Sequence, residues 1–148
     1  MREEYRLVRS KGLDILQSPG MRSEKKFIQH SDVSVYKHSV SVAMTCVWLA
    51  KKLRVRVDET SLVRGALLHD YFLYDWHVPD RSHRLHGFGH AKKALRNAER
   101  DFTLNDIQRN MIACHMFPMN PVLPRYRESV ILWVADKLCA TKETYKRR

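Results

Sequence analysis

An all-α domain is the fold this chain predicts, and three observations carry it. Apolar residues recur at spacings of three and four through nearly its whole length. Only five glycines and five prolines punctuate 148 residues. Hydrophobic residues make up 44% of the chain, enough to fill one core at this size. A single domain over residues 1–148 is therefore expected, a compact bundle of several helices with no internal repeat and no low-complexity segment.

The first helix is expected from about Glu3 to Gln17, where Ser18-Pro19-Gly20 is a stop signal. A short helix from about Arg22 to Ile28 follows. The third, from about Val33 to Leu53, gathers Val35, Val42, Thr45, Cys46, Leu49 and Leu53 on one face, and His38 falls on that face. Asp58 suits the N-cap of a helix running through Asp70. That helix has Leu62, Ala66 and His69 on one stripe, with Val63, Leu67 and Asp70 beside it. From Tyr71 to Phe88 the pattern dissolves into aromatic, charged and histidine residues around Pro79, the mark of a long loop.

A helix from about Gly89 to Asp101, starting at His90, turns Ala91, Ala94, Leu95 and Ala98 inward. Thr103 with Asp106 resembles a capping arrangement for the next, whose inner residues are Leu104, Ile107, Met111 and His115. Pro118, Pro121 and Pro124 make an extended connector. The last helix, about Arg127 to Tyr145, carries Leu132, Trp133, Asp136, Cys139 and Ala140 on one stripe.

Charge narrows the partner's sign. The chain has 27 Lys and Arg against 16 Asp and Glu, a net charge of +11 that favours anions such as phosphate esters, nucleotides or nucleic acid. The cations are spread over Lys51, Lys52, Arg54 and Arg56, over Lys92, Lys93, Arg96 and Arg100, and over the C-terminus, as solvated helix faces also are. Cys46, Cys114 and Cys139 are odd in number and lack CxxC spacing, so reduced thiols are expected. The N-terminal MREEYRLVRSKGLDILQ has no continuous apolar region, and no window approaches the ~18 apolar residues of a membrane span. A cytoplasmic protein without a membrane partner is expected; its oligomeric state is not legible.

Against this background the stretch GALLHDYFLYDWH, residues 65–77, stands out. It places His69 and Asp70 at the end of an apolar helix, where a carboxylate costs several kcal/mol unless paired or bound to a cation. His38, His90, His115 and Asp136 likewise fall on inner faces or helix ends. One histidine on an apolar face reads as a hydrogen-bonded core residue. Four imidazoles and two carboxylates from successive helices suit divalent transition metals: Fe, Mn, Ni, Zn or Co.

The order H…HD…H…H…D, with the His-Asp pair ending GALLHD, resembles the HD-domain metal-dependent phosphohydrolase superfamily, over about residues 27–145. The segments QHSDVSVYKHS, LLHDYFLYDWH, LHGFGHAKKAL, RYRES and ADKLCATKE look like a subgroup of small bacterial HD proteins. The resemblance implies an all-helical fold in which His38, His69, Asp70 and Asp136 hold one metal. In members with two metals the aspartate of the pair bridges to a second ion, for which His90 and His115 are the matching residues. His90-Ala91 departs from the His-Pro common at this position, and His86 competes with His90. Leu73 stands where the cyclic-dinucleotide phosphodiesterase branch has the lysine of HDxxK, which argues against that activity.

The implied reaction is hydrolysis of a small phosphoester or nucleotide by metal-activated water, with His69 and Asp70 at its centre. Cations near the phosphoryl group would add stabilisation, and Arg64, Arg125, Arg127 and Lys137 are the residues expected to bind substrate, with His86 touching substrate or orienting a ligand. His30, in an expected loop, is a proton donor, a substrate contact or a solvent-exposed histidine. Asp75, Trp76 and His77 would form a lip, and Met111, Met116 and Met119 core or pocket wall. Two other readings stay open: an HD-type di-iron oxygenase with this ligand set, and a noncatalytic module that binds nucleic acid or a partner through its basic surface.

Overall fold

Capping side chains fix four helix starts, some at places different from those the periodicity suggests. The computed structural model describes residues 2–30, 33–73 and 86–145; the side chains of residues 30 and 86–88 lie outside the description. Helix α1 spans Arg2–Leu16. Ser18-Pro19 is a start as well as a stop: the Ser18 hydroxyl accepts from the Met21 amide at 3.2 Å, and Pro19 opens helix α2, Pro19–Ser23.

The helix expected over residues 22–28 is instead the end of α2, a 3₁₀ turn over Glu24–Lys26 and strand β1, Ile28–His30. Strand β2, Val33–Ser34, pairs with it antiparallel, and the Val35 amide closes the hairpin on the Phe27 carbonyl at 2.7 Å. Ser34 then caps helix α3, Val35–Lys52, by accepting from the Lys37 amide. Val33, expected inside the third helix, thus belongs to a hairpin. Arg54 adopts φ 54°, and the bonds from Val55 N to Ala50 O and Arg54 N to Lys51 O terminate the helix. Leu53, expected on the inner face, is left 61% exposed beyond this stop.

Asp58 caps helix α4, Glu59–Leu68, as expected, accepting from Ser61 N at 3.0 Å. The helix ends two residues before Asp70: His69 N and Tyr71 N bond three residues back, to Ala66 O and Leu68 O, tightening the last turn. Helix α5 runs His86–Asp101, so the loop expected to reach Phe88 ends earlier, and Tyr71 and Phe72 at its start are buried. Residues 74–85, including Asp75, Trp76, His77 and His83, lie outside the described residues. Helix α6, Asp106–Cys114, is capped by Asn105 with Gln108 in a reciprocal capping box, rather than by Thr103 with Asp106. Helix α7 spans Arg127–Tyr145.

Helix α3 packs against α4 and α7, α1 covers α3 and α4, and α6 wedges between α4 and α7 with α5 behind it. Ile15, Leu62, Leu67, Leu68, Met111, Ile112 and Leu132 are among the fully enclosed side chains. Gly65 governs one approach: a Cβ there would collide with the Met111 Sδ, so its absence lets α6 close on α4. That closeness brings the residues following α4 and α6 together. The three cysteines are free and buried, and no described helix is long and apolar enough to cross a membrane.

Candidate metal centre

His69 and His115 occupy equivalent positions, each the residue just past a helix. Each turns its Nδ1 back to the carbonyl three residues earlier, His69 to Ala66 O at 2.6 Å and His115 to Ile112 O at 2.7 Å. These are helix-end carbonyls that need donors. The proton is thereby placed on Nδ1, and Nε2 faces inward as a lone pair. His38 reaches the same state by another route: its Nδ1 donates to Glu143, 2.8 Å from Oε2 and 3.0 Å from Oε1. Its ring is 5.4 Å from that of His69, centroid to centroid.

The two carboxylates meet these lone pairs. Asp136 Oδ1 lies 3.0 Å from His38 Nε2 and 3.3 Å from His69 Nε2. Asp70 Oδ2 lies 3.5 Å from His38 Nε2 and 3.2 Å from His69 Nε2. Its other oxygen faces the opposite way: Oδ1 is 3.4 Å from His90 Nε2 and 3.2 Å from His115 Nε2. Asp70 is therefore shared between two groups whose ligand atoms lie within 4.8 Å of one another: His38, His69, Asp70 and Asp136, and Asp70, His90 and His115. All six side chains are buried.

The chemistry of this donor set fits a cation. His69 Nε2 and Asp70 Oδ1 are fully enclosed without a hydrogen-bond partner among the described residues, although opposing N or O atoms lie close by. Acceptor confronts acceptor there, an arrangement that either a proton or a metal ion relieves. The titration directions give the proton's side. Burial alone would lower the His38 pKa, but hydrogen bonds to Asp136 and Glu143 and the charges of Asp136 and Asp70 outweigh it and raise it to about 9. Burial likewise opposes a charged His69, and Asp70 and Asp136 overcome it, raising its pKa well above normal. Burial would raise both carboxylates. The charge of His69 and the close imidazoles of His115, His69 and His90 hold Asp70 well below the usual range, and His38 and His69 do the same for Asp136. His115 is lowered, by burial first and then by the neighbouring His90 against the pull of Asp70.

A family model, HD domain, matches residues 35–141. The chain belongs to the HD domain family. No curated protein and no solved structure matches it. The matched span takes in His69 and Asp70, which stand at the end of α4 where the tightened turn lets both face inward.

All six expected ligand residues come together. The expected substrate-binding residues divide. Lys137 lines the cavity over the site, donating to the His115 carbonyl at 2.8 Å and lying 3.4 Å from Asp136 Oδ2. Arg64 is a correction: it faces α1, where it makes two bonds to Asp14, the longer of 2.9 Å, and another to Lys11 O. The inner stripe of α4 is taken by Leu62, Ala66 and their neighbours, so a long cation one turn before the pair points away. Arg125 and Arg127 are exposed, Arg125 bonded through its amide to Asn110 and Arg127 to the Arg56 carbonyl, and neither lines this cavity. His86 opens α5, with its side chain outside the description, so its role as substrate contact lies there too. His30 stands in β1 rather than a loop.

The cavity has a volume of about 360 Å³. Asp70, His90, Asp136, Lys137 and Gln29 supply its polar wall, and Met116, Phe117, Met119 and Trp133 most of its apolar one. Trp133 Nε1 is tied to Phe117 O at 2.7 Å, and Lys137 Nζ lies 5.2 Å from the indole centroid.

Three residues of the site escape sequence reasoning. Glu143 sits near the chain's end among charged residues, where nothing distinguishes it from a solvated one. Gln29 lay in a segment expected to be loop. Glu24, within SEKK, is fully buried with neither carboxyl oxygen hydrogen-bonded among the described residues. Burial, then repulsion from Asp70, push its pKa well above normal.

Proposed function

We propose that this HD domain is a metal-dependent phosphohydrolase that binds two divalent transition-metal ions and cleaves a small phosphoester. The observation that carries the reading is the position of Asp70, whose Oδ2 faces His38 and His69 while Oδ1 faces His90 and His115. HD domains are in the main hydrolytic metalloenzymes, which favours hydrolysis over other uses of such a ligand set.

His38, His69 and Asp136 would hold one ion and His90 and His115 the other, with Asp70 between them. Bound there, such ions supply a water acidic enough to attack at neutral pH and neutralise phosphoryl oxygens. The chain's own residues do the rest. Glu143 and the carbonyls of Ala66 and Ile112 hold the imidazoles of His38, His69 and His115 with Nε2 inward, so these three need not reorient. Lys137 donates to a phosphoryl oxygen from the cavity wall, its hydrogen bond to His115 O keeping the amine beside the site. Trp133, Phe117 and Met116 give the cavity an apolar side, which lowers the local polarity around those electrostatic contacts. The cavity's size suits a compact phosphorylated metabolite or mononucleotide better than a polymer.

A panel of phosphomonoesters assayed anaerobically with Mn or Co tests the reading. Hydrolysis that chelators abolish, with K137M raising KM at least tenfold, is the expected result. Turnover that requires reduced iron and dioxygen, with no phosphate release, would assign the site to oxygenation instead.

A further inference from the structure

Gln29 and Lys137 are the polar residues lining the cavity that the ligand set does not use, and Gln29 is the buried one. It is buried, and its Nε2 donates to Asp70 Oδ2 at 2.9 Å. The hairpin holds it in place: Ile28 lies opposite Ser34, His30 opposite Val33, and Phe27 O accepts from Val35 N at the base. Strand β1 packs on both α3 and α7, the helices that bring His38 and Asp136.

The end of an aspartate side chain turns through a broad, roughly two-fold torsional well, so its carboxyl plane is weakly fixed by rotamer preference. Four histidines surround Asp70, and each can bind its oxygens as a proton donor or turn a lone pair toward an ion instead. An amide N–H does neither. It donates in both states, so the Gln29 bond is a contact to Asp70 that survives exchange of protons for metal. With Oδ2 anchored on that side, Oδ1 is left turned toward His90 and His115.

We propose that Gln29 is a positioning residue that holds Asp70 in its bridging orientation and thereby couples the two ion sites. This rests on the two-ion reading above. Gln29 acts on the site shared by the ions rather than on either histidine set, so its loss falls on the second ion to bind. The first keeps all four of its ligands, His38, His69, Asp136 and Asp70.

Manganese titration of the chelator-treated protein by calorimetry, with electron paramagnetic resonance of the loaded form, tests this on wild type and Q29L. The leucine keeps bulk and removes the donor; Q29M, unbranched, replaces it where Q29L lacks wild-type helicity. Wild type is expected to take two ions with an exchange-coupled spectrum. The variant is expected to bind the first ion within a few-fold of wild type, the second about ten- to hundredfold more weakly, and to show an uncoupled signal. Two coupled ions with unchanged affinities in the variant would overturn the role of Gln29 and leave the two-ion reading standing. Equal weakening of both ions would also overturn it, since general loosening has that effect. A single ion in wild type would remove the two-ion reading and the role of Gln29 with it.

Discussion

The Nε2 atoms of His90 and His115 lie 2.8 Å apart, their ring centroids separated by 4.9 Å. His115 Nδ1 already donates to Ile112 O, so its Nε2 arrives as a lone pair beside Asp70 Oδ1 at 3.2 Å. Two imidazoles and a carboxylate oxygen converging in this way form a half-site for a cation. Replacing His115 with Ala is expected to remove one ion per chain while the set containing His38 keeps its own, measured by elemental analysis of dialysed protein. Retention of both ions would show that His115 is a core histidine only.

Glu143 acts at one remove. Its carboxylate holds His38 Nδ1 through two close oxygens, which orients the ring and raises the basicity of Nε2. Glu143→Ala should weaken metal binding about ten- to hundredfold, read by competition with a chromogenic chelator, at little cost in helicity.

Protons and metal compete for the same atoms, which gives the site a pH dependence of known sign. His38 has a folded pKa of about 9 against an ordinary 6.5. In metal-free protein its stabilising contribution is therefore complete below pH 6.5 and lost as pH rises through about 9. Metal must displace that proton, so affinity should rise with pH up to about 9. Calorimetry in buffers of different ionisation enthalpy should show protons released on metal binding at pH 7, and a thermal melt of chelator-treated protein should fall from pH 7 to 10.

Glu24 has the opposite linkage. A carboxyl group whose folded pKa is raised loses stability as pH climbs above its unfolded value of 4.5, because only the unfolded chain is then free to ionise. Gln, of the same shape and uncharged, removes that penalty. Glu24→Gln should raise stability at pH 7 and flatten its decline as pH climbs above 4.5, measured by urea denaturation. A loss of stability would mean that the carboxylate is ionised and satisfied in the folded protein.

The ligand set was legible because burial makes ionisable residues conspicuous: His38, His69 and Asp136 break apolar stripes whose period is otherwise helical. Their partners were not, because a residue that supports a ligand carries no such contrast. Glu143 reads as one more charge near the end of a basic chain, and Glu24 is hidden by its neighbours Lys25 and Lys26. The hairpin over residues 28–34 escaped because five strand residues are too few to show alternation, and Ser34 caps α3 closely enough that the helical period extends back over Val33. Arg64 misled for a geometric reason: one turn before the His-Asp pair along the chain, it lies on the face that meets Asp14.

The most direct measurement is an anomalous difference map from crystals grown with manganese, collected near its absorption edge. Two peaks are expected on either side of Asp70, one among His38, His69 and Asp136 and one between His90 and His115, both lost in D70A. A single peak, or two peaks that persist without the Asp70 carboxylate, would contradict the shared site.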